Sequence, residues 1–512
     1  MNAEGRTIIK ETQDCRKHDL HHRCGVLLQF SQTPDVKRIH KDGYRKFKSS
    51  KGQYFVDYKL NTTISEKADY RVHFLGYVGI ASQFPNLIMA AFNTFFQMKS
   101  STSNPTFRFM VVMVLELVIL IFTTIMVFVD TTNVPAIFFG LTIASVVLIN
   151  CCVGIHQTLT FGLAAFLPMK YSNAVIMGSN ICGVLVASVN MLVKGLAEVW
   201  GESERSIIIT RTCYFAVATI YVVVCVLTYI ALQRLEFVRY YLNRKSSDNV
   251  EEIDANNEAT TLVTKIALET AEDNTGEGSV GTCSPRDFVV SHSQCEARDD
   301  EDVSAWYTLR NCFALCCFAG SEGRQRCGQY WSRYKETFKE CWLQCLTVWM
   351  VFACTLALFP SVQSTIRSND PSYIIKESWF VDVTCFFFFN LFALLGCMVS
   401  NWVRFPGPRF LWMPVLLRFI FFVPFFLFSN YHIDGRVGDR WMPLWVTNDH
   451  VYVFGSIVFA FTSGYFSSLG MMYAPMRSPP ERAGLAGLLA SFFLILGVFS
   501  GCNLTRALMA FL

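Results

Sequence analysis

The sequence predicts an all-α polytopic membrane protein with ten transmembrane helices. Of its 512 residues 52% are hydrophobic, 46 are Phe, and the mean hydropathy is +0.33. Windows of about 20 apolar residues recur, each long enough to cross a hydrocarbon core roughly 30 Å thick. The net charge of +4 gives no indication of nucleic-acid binding. The predicted spans cover approximately residues 74–97, 107–130, 134–158, 172–196, 207–233, 343–363, 378–401, 409–429, 450–474 and 483–511.

Two polar regions interrupt this pattern. Residues 1–72 hold 15 Lys/Arg against 9 Asp/Glu, and residues 241–340 carry acidic, Ser/Thr-rich runs that favour disorder. The chain is therefore predicted to consist of a polar N-terminal segment, a helical bundle over 73–240, a largely disordered loop, and a second bundle over 341–512.

The distribution of Lys and Arg predicts the orientation of these spans. Basic residues concentrate in alternate connections, including the long central loop, which the positive-inside rule makes cytoplasmic. Leu512 and the N-terminal segment are then expected outside. That position suits Asn61, which begins the glycosylation pattern Asn61-Thr62-Thr63. No span or signal peptide before residue 73 is apparent to carry the segment there.

Several segments in order resemble the equilibrative nucleoside transporters. They include QFPNLIMAAFNTFF (83–96), HQTLTFGLAAFLPMKYSNAVIMGSNICG (156–183), VTCFFFFNLFALLG (383–396) and FTSGYFSSLGMMYAP (461–475). The resemblance implies a major-facilitator-like bundle of eleven helices. It also implies facilitative transport of purine and pyrimidine nucleosides, such as adenosine and uridine, without ATP or a cofactor. The plasma membrane is the expected location, with nucleosides and the lipid bilayer as partners and no oligomer predicted.

The resemblance also bears on the N-terminus. Residues 53–63 look like the end of the family's first helix and the loop that follows it, while polar sequence over 1–52 stands in place of that helix. Either an alternative or mispredicted first exon precedes an otherwise intact transporter, or the N-terminus is genuinely divergent.

Polar residues at membrane depth are the candidates for a substrate site, because lipid cannot satisfy them. Gln157 stands where the family has a base-contacting glutamine, and an amide both donates to and accepts from a base edge. Phe161 follows one turn later. Asn180 stands where the family more often has Gly. Gly178 and Gly183 match family glycines, which either line the path or pack helices closely.

In the second half, Asn390 is the clearest polar residue of its span. The family pattern continues with Asp, Gly and Arg, whereas this chain has Ala393, Gly396 and Cys397. Both members of a charged pair are absent together, which avoids an unpaired buried charge. Sugar recognition is then either relaxed towards deoxynucleosides or nucleobases, or supplied by Asn390 and Ser/Thr groups.

The remaining polar residues of the spans have two interpretations each. Gln83, Pro85 and Asn86 interrupt the first span as a kink or as a hinge. Arg418 matches a family arginine that either gates the path or snorkels. Glu116 either binds a proton that couples transport or pairs with a neighbouring helix. Lys194 is expected to snorkel, and the loop cysteines favour packing or palmitoylation over a metal site.

Three functional classes follow. The first is a facilitative nucleoside carrier working by alternating access, and the second is a non-transporting or dominant-negative variant that lacks the first helix. The third, a receptor or channel, is opposed by the number of spans and by the family segments. No Walker A, HExxH or Gly-rich phosphate loop is present, so an enzyme or an ATP-driven pump is not predicted.

Overall fold

The computed structural model describes residues 70–96, 105–128, 135–165, 167–200, 204–236, 321–432 and 442–511. The expectations for Asn61, for the N-terminal segment and for residues 241–320 of the central loop lie outside these residues. The chain divides into two compact units, Met1–Val238 with Glu336–Leu512, and Arg239–Lys335. The transmembrane bundle belongs to the first unit.

Ten long helices succeed one another over the described residues, and each lies on one of the ten predicted spans. They are α1 Tyr70–Phe95, α2 Pro105–Phe128, α3 Pro135–Ala164, α4 Met169–Trp200, α5 Glu204–Gln233, α6 Ser321–Leu358, α7 Glu377–Val399, α8 Trp412–Leu427, α9 Asp449–Met476 and α10 Ala483–Phe511. The described residues contain no strand, only an isolated bridge between Ile366 and Tyr431. The predicted all-α membrane class is confirmed.

Eight of these helices are long and apolar enough to cross a membrane by length and composition. Helix α8 is also apolar but has 16 residues, and α1 has 26 residues with Pro85 inside it. Helix α6 begins at Ser321, well before residue 343, where the apolar span begins. Its polar first turns account for the difference, because hydropathy alone does not report a helix that continues outside the apolar span.

Helix α7 changes its geometry within the membrane-spanning segment. An α-helical turn over Glu377–Val381 passes into a π-helical stretch over Asp382–Phe387, and the α-helix resumes over Phe388–Val399. A π-helical stretch shifts the direction of the side chains that follow it, and such stretches are frequent at functional sites. Asn390, one of the candidate site residues, is the third residue after this stretch.

Close helix crossings at glycines hold each half of the bundle together. A Cβ on Gly396 would overlap the carbonyl oxygen of Phe461, and one on Gly464 would overlap that of Ala393, so α7 and α9 meet backbone to backbone. In the first half, a Cβ on Gly154 of α3 would lie 2.5 Å from the carbonyl oxygen of Asn86 on α1. Small residues permit this approach in membranes, where packing drives helix association.

The connection between α6 and α7 is tied to the start of α9 by one carboxylate. Asp449 accepts hydrogen bonds from the Ser368 hydroxyl at 2.6 Å, the Asn369 backbone amide at 2.9 Å and the Asp370 amide at 3.1 Å. Its position in the first turn of α9 also suits a negative charge, because the positive end of the helix dipole lies there.

Candidate functional site

A cavity lies among helices of both halves of the bundle, bounded by α3 and α4 on one side and by α6, α7, α9 and α10 on the other. It contains about 970 Å³ of space not occupied by atoms, including solvent at its mouth. The polar residues of its wall are His156, Gln157, Thr160, Ser179, Asn180, Thr355, Asn390, Ser463 and Ser467.

The wall combines uncharged polar groups with aromatic surface. Its described lining contains no Asp, Glu, Lys or Arg. Phe161, Phe352, Phe359 and Phe389 contribute rings, and Phe359 and Phe389 stack with centroids 3.7 Å apart and planes 8° apart. Such a wall suits an uncharged ligand with a flat face and several hydrogen-bonding groups, because it offers partners without fixing a counter-charge.

Gln157 is the polar group most clearly directed at a ligand. Its side chain is 6% exposed, and neither its amide nitrogen nor its amide oxygen finds a hydrogen-bond partner among the described residues. A buried amide without partners costs roughly 1–3 kcal/mol. That cost is removed if a bound molecule supplies an acceptor and a donor to the Gln157 side chain.

Asn180 faces the same cavity from α4. Its amide nitrogen donates to the carbonyl oxygen of Ile176 at 3.2 Å and to the Cys397 sulfur at 3.1 Å. Cys397 in turn donates to the carbonyl oxygen of Gly464 at 3.3 Å. The thiol therefore links α4, α7 and α9 at a position where the family resemblance implies an arginine.

Asn390 and Ala393 bring α7 to the wall. The Asn390 amide nitrogen donates to the carbonyl oxygen of Phe386 at 2.8 Å. Ala393 lines the cavity with a methyl group where the family resemblance implies an aspartate. The polar groups near it come instead from α6 and α9, where Thr355 and Ser463 share a hydrogen bond of 2.9 Å.

Arg418 is buried behind this wall and is not among the lining residues. Its Nη2 donates to the Thr355 hydroxyl at 3.3 Å and to the Phe459 carbonyl oxygen at 3.2 Å, and its guanidinium lies 5.0 Å above the Phe459 ring. Arg418 is thus linked to the cavity wall through the Thr355 hydroxyl.

The other residues singled out in the sequence have packing positions. Gly178 and Gly183 are buried on α4 without lining the cavity, and Gly396 lies in the α7–α9 crossing. Asn86 is buried where α1 crosses α3, while Gln83 and Pro85, three residues and one residue before it, are half-buried. None of these six joins the described cavity lining.

Lys194 differs from expectation. Its ammonium group forms an ion pair with Asp382, donates to the carbonyl oxygen of Ser378 at 2.5 Å, and lies 4.6 Å from the centre of the Trp379 ring. The side chain therefore joins α4 to α7, a link that the expectation of snorkelling did not include. An ion partner 188 residues away leaves no local signal in the sequence.

Several lining residues were not singled out in the sequence: His156, Thr160, Ser179, Thr355, Ser463 and Ser467. A signal for them exists in helical spacing. Residues three or four positions apart share a helix face, and Thr160 stands in this relation to Gln157, whereas Ser179 is adjacent to Asn180. Thr355 has no such neighbour among the predicted residues.

These features define a class: an integral membrane protein built as a polytopic helical bundle, with an uncharged polar cavity between its two halves. A carrier of small uncharged solutes has this organisation, and an enzyme does not require it. The family model for nucleoside transporters matches residues 143–510. The chain therefore belongs to the nucleoside transporter family.

Individual equilibrative nucleoside transporters are similar to this chain over most of its length. The chain is 27% identical over 435 residues to rat equilibrative nucleoside transporter 2, covering 85% of this chain and 84% of that protein. It is 28% identical over 424 residues to human equilibrative nucleoside transporter 1, covering 82% and 79%. Human equilibrative nucleoside transporter 2 is 27% identical over 435 residues, covering 85% and 84%.

Proposed function

We propose that this protein carries purine and pyrimidine nucleosides across a membrane down their concentration gradient. The observation that carries the proposal is Gln157, a buried amide with no hydrogen-bond partner among the described residues, in a cavity whose described lining is uncharged. Family membership supports the substrate class. Alternating access is the proposed mechanism, with the helices before and after the central loop rocking around the cavity.

The chemistry of the wall matches the parts of a nucleoside. The Gln157 amide offers a donor and an acceptor to the edge of the base, and the aromatic side chains offer ring surface to its face. The ribose hydroxyls take their partners from Asn390, Ser463 and Ser467. Because these groups are uncharged, they stabilise the sugar less strongly than a charged pair would.

The orientation and location are part of the proposal. The central loop is placed in the cytoplasm and the C-terminus outside, in the plasma membrane, as the positive-inside rule favours. Glycosylation tests this directly, because only a lumenal or extracellular Asn61 can receive a glycan. A mobility shift removed by glycosidase and by Asn61→Gln supports the orientation, and its absence from surface protein contradicts it.

The test of transport is uptake of labelled adenosine in cells that lack endogenous nucleoside transport, normalised to surface protein. Saturable uptake that uridine competes supports a broad carrier. Absence of uptake from a chain that reaches the surface contradicts the proposal and supports a non-transporting variant. Restoring a first helix from a relative then shows whether residues 1–52 are the cause.

Selectivity separates the two interpretations of the missing charged pair. If Asn390 and the hydroxyl groups recognise the sugar, adenosine is taken up better than adenine at equal concentration. If sugar recognition is relaxed, deoxyadenosine and adenine compete as well as adenosine does.

A further inference from the structure

The short loop between α7 and α8, residues 400–411, carries a group of exposed apolar side chains. Trp402 is 75% exposed and Phe405 is 76% exposed, and Val403 and Phe410 are also exposed. Single exposed apolar residues are ordinary, whereas a group of them marks a surface that contacts something other than water. The loop is therefore a candidate interaction surface.

Hydrogen bonds from buried tyrosines hold the backbone of this loop in place. The Tyr465 hydroxyl of α9 accepts from the backbone amide of Phe405 at 3.2 Å and donates to the carbonyl oxygen of the same residue. The Tyr473 hydroxyl, eight residues further along α9, lies 3.1 Å from the carbonyl oxygen of Arg404 and 3.2 Å from that of Pro406. The exposed side chains are thus carried by a backbone that is fixed to the bundle.

The apolar surfaces of the two flanking helices show how deep the loop lies. One stripe of exposed apolar side chains runs along α7 as far as Trp402, and another starts at Phe410 and runs along α8. Their members follow at intervals of three and four residues, the spacing of one helix face: Leu395, Met398 and Trp402, then Phe410, Met413, Leu417 and Ile420. Trp402 and Phe410 therefore mark the edge of the hydrocarbon core, and residues 403–409 lie at the level of the lipid headgroups.

Two arginines lie between these edges. Arg404 and Arg409 are both exposed, and neither forms an ion pair within the part of the chain that the structure describes. The sequence offers no local partner, because no Asp or Glu occurs between Asp382 and Asp434. Two uncompensated guanidinium groups at headgroup depth attract phosphate, which each of them can bind through two hydrogen bonds.

We propose that the α7–α8 loop is a docking surface for an anionic phospholipid of the cytoplasmic leaflet. Arg404 and Arg409 bind the negatively charged headgroup, while Trp402 and Phe405 lie among the upper parts of the acyl chains. Anionic lipids are concentrated in the cytoplasmic leaflet, where each nearby Lys or Arg strengthens binding. The choice of leaflet rests on the proposed orientation, whereas the binding itself does not depend on what the protein transports.

The experiment titrates the purified full-length chain in a neutral detergent with phosphatidylglycerol and, separately, with phosphatidylcholine. Native mass spectrometry counts the lipids bound to each chain. The first phosphatidylglycerol is expected to bind about 25-fold more tightly than phosphatidylcholine, because each of the two cations contributes about fivefold. Glycerol 3-phosphate carries the charge without the acyl chains, and at equal concentration it is expected not to compete.

Variants that remove one charge locate the surface. Arg404→Gln and Arg409→Gln are each expected to reduce the preference for phosphatidylglycerol about fivefold, and the double variant is expected to abolish it. Because both side chains are exposed, the melting temperature without added lipid is expected to stay unchanged. Lys376→Gln is the matched control, since it removes an exposed cation at the other end of α7 and is expected to leave both affinities unchanged.

Four results would overturn the proposal. Equal affinity of the two lipids for the unmodified protein excludes the site, and a preference that persists in the double variant places the lipid elsewhere. An equal loss in Lys376→Gln assigns the effect to overall charge, and competition by glycerol 3-phosphate assigns it to free phosphate. None of these measurements involves adenosine uptake, so failure of the lipid site is distinguishable from failure of the transport function.

Discussion

The amide nitrogen of Asn180 lies 3.1 Å from the sulfur of Cys397, across the interface between α4 and α7. Both residues depart from the pattern that the family resemblance implies, which has Gly and Arg at these positions. Ala393, the third departure, lies one helical turn before Cys397 and beside Gly464. The three departures are therefore one local rearrangement, in which an amide and a thiol occupy the space of a charged pair.

This arrangement predicts that the family pattern can be restored only as a set. Cys397→Arg alone places a long charged side chain against Asn180 with no partner, and a buried unpaired charge costs about 3–5 kcal/mol. Its surface expression and melting temperature are expected to fall. The triple variant Asn180→Gly, Ala393→Asp, Cys397→Arg is expected to recover both. A triple variant no more stable than the single one would show that the positions are independent.

The second prediction concerns Gln157. Gln157→Leu keeps the approximate volume but removes the donor and the acceptor offered to the base. Loss of about 1.5 kcal/mol of neutral hydrogen bonding corresponds to a roughly tenfold decrease in kcat/KM for adenosine. Thr347→Val on α6 is the matched control, because Thr347 is buried but bonds to its own helix outside the cavity lining. Equal uptake by the Leu variant would remove Gln157 from the site.

The close crossing of α7 and α9 gives a third prediction. Gly464→Ala forces a methyl group into the backbone of Ala393, and overpacking of this kind costs about 1–3 kcal/mol. The melting temperature in detergent is expected to decrease. Gly140→Ala on α3 is the control, since its added methyl group would meet nothing within 4 Å and alanine favours the helix. Equal melting temperatures for the two variants would contradict a backbone contact between α7 and α9 at Gly464.

The ion pair between Lys194 and Asp382 gives a fourth prediction. It joins α4 to α7 with side chains only 21% and 30% exposed. Asp382→Asn should weaken this link by up to about 1 kcal/mol, which shifts an open–closed equilibrium roughly two- to fivefold. The readout is the rate at which an external thiol reagent labels a cysteine introduced at Ser179 in the cavity wall.

The charge exchange Lys194→Asp with Asp382→Lys tests whether the pair itself matters. The double variant is expected to bring the labelling rate back towards that of the unmodified protein, because the attraction is re-formed with its signs reversed. A rate that stays as fast as in Asp382→Asn would assign the effect to the Trp379 contact or to the hydrogen bond with Ser378.

The positions of the ten helices could be predicted from the sequence, because hydrocarbon thickness fixes how many apolar residues a span needs. The start of α6 at Ser321 and the π-helical stretch of α7 could not. The first lies in polar sequence, and the second depends on packing between helices.

The site was predictable in part. Gln157, Phe161, Asn180 and Asn390 stand out as polar or family-matching residues, and all four line the cavity. Thr355 and Ser463 also line the cavity but do not stand out in the sequence. Hydroxyl residues are common in spans and usually bond to their own helix. Only the tertiary arrangement brings these two together, along with Arg418 behind them.

The contact of Gly464 with Ala393 also limits how the second half of the bundle can deform. With no side chain between the two backbones, neither helix can spin about its axis without driving a neighbouring Cβ into the other. Rotation of α7 relative to α9 is therefore opposed by steric overlap between side chains of one helix and the backbone of the other. The α4–α7 interface is held differently, by side-chain contacts such as the Asn180–Cys397 hydrogen bond and the Lys194–Asp382 ion pair rather than by touching backbones.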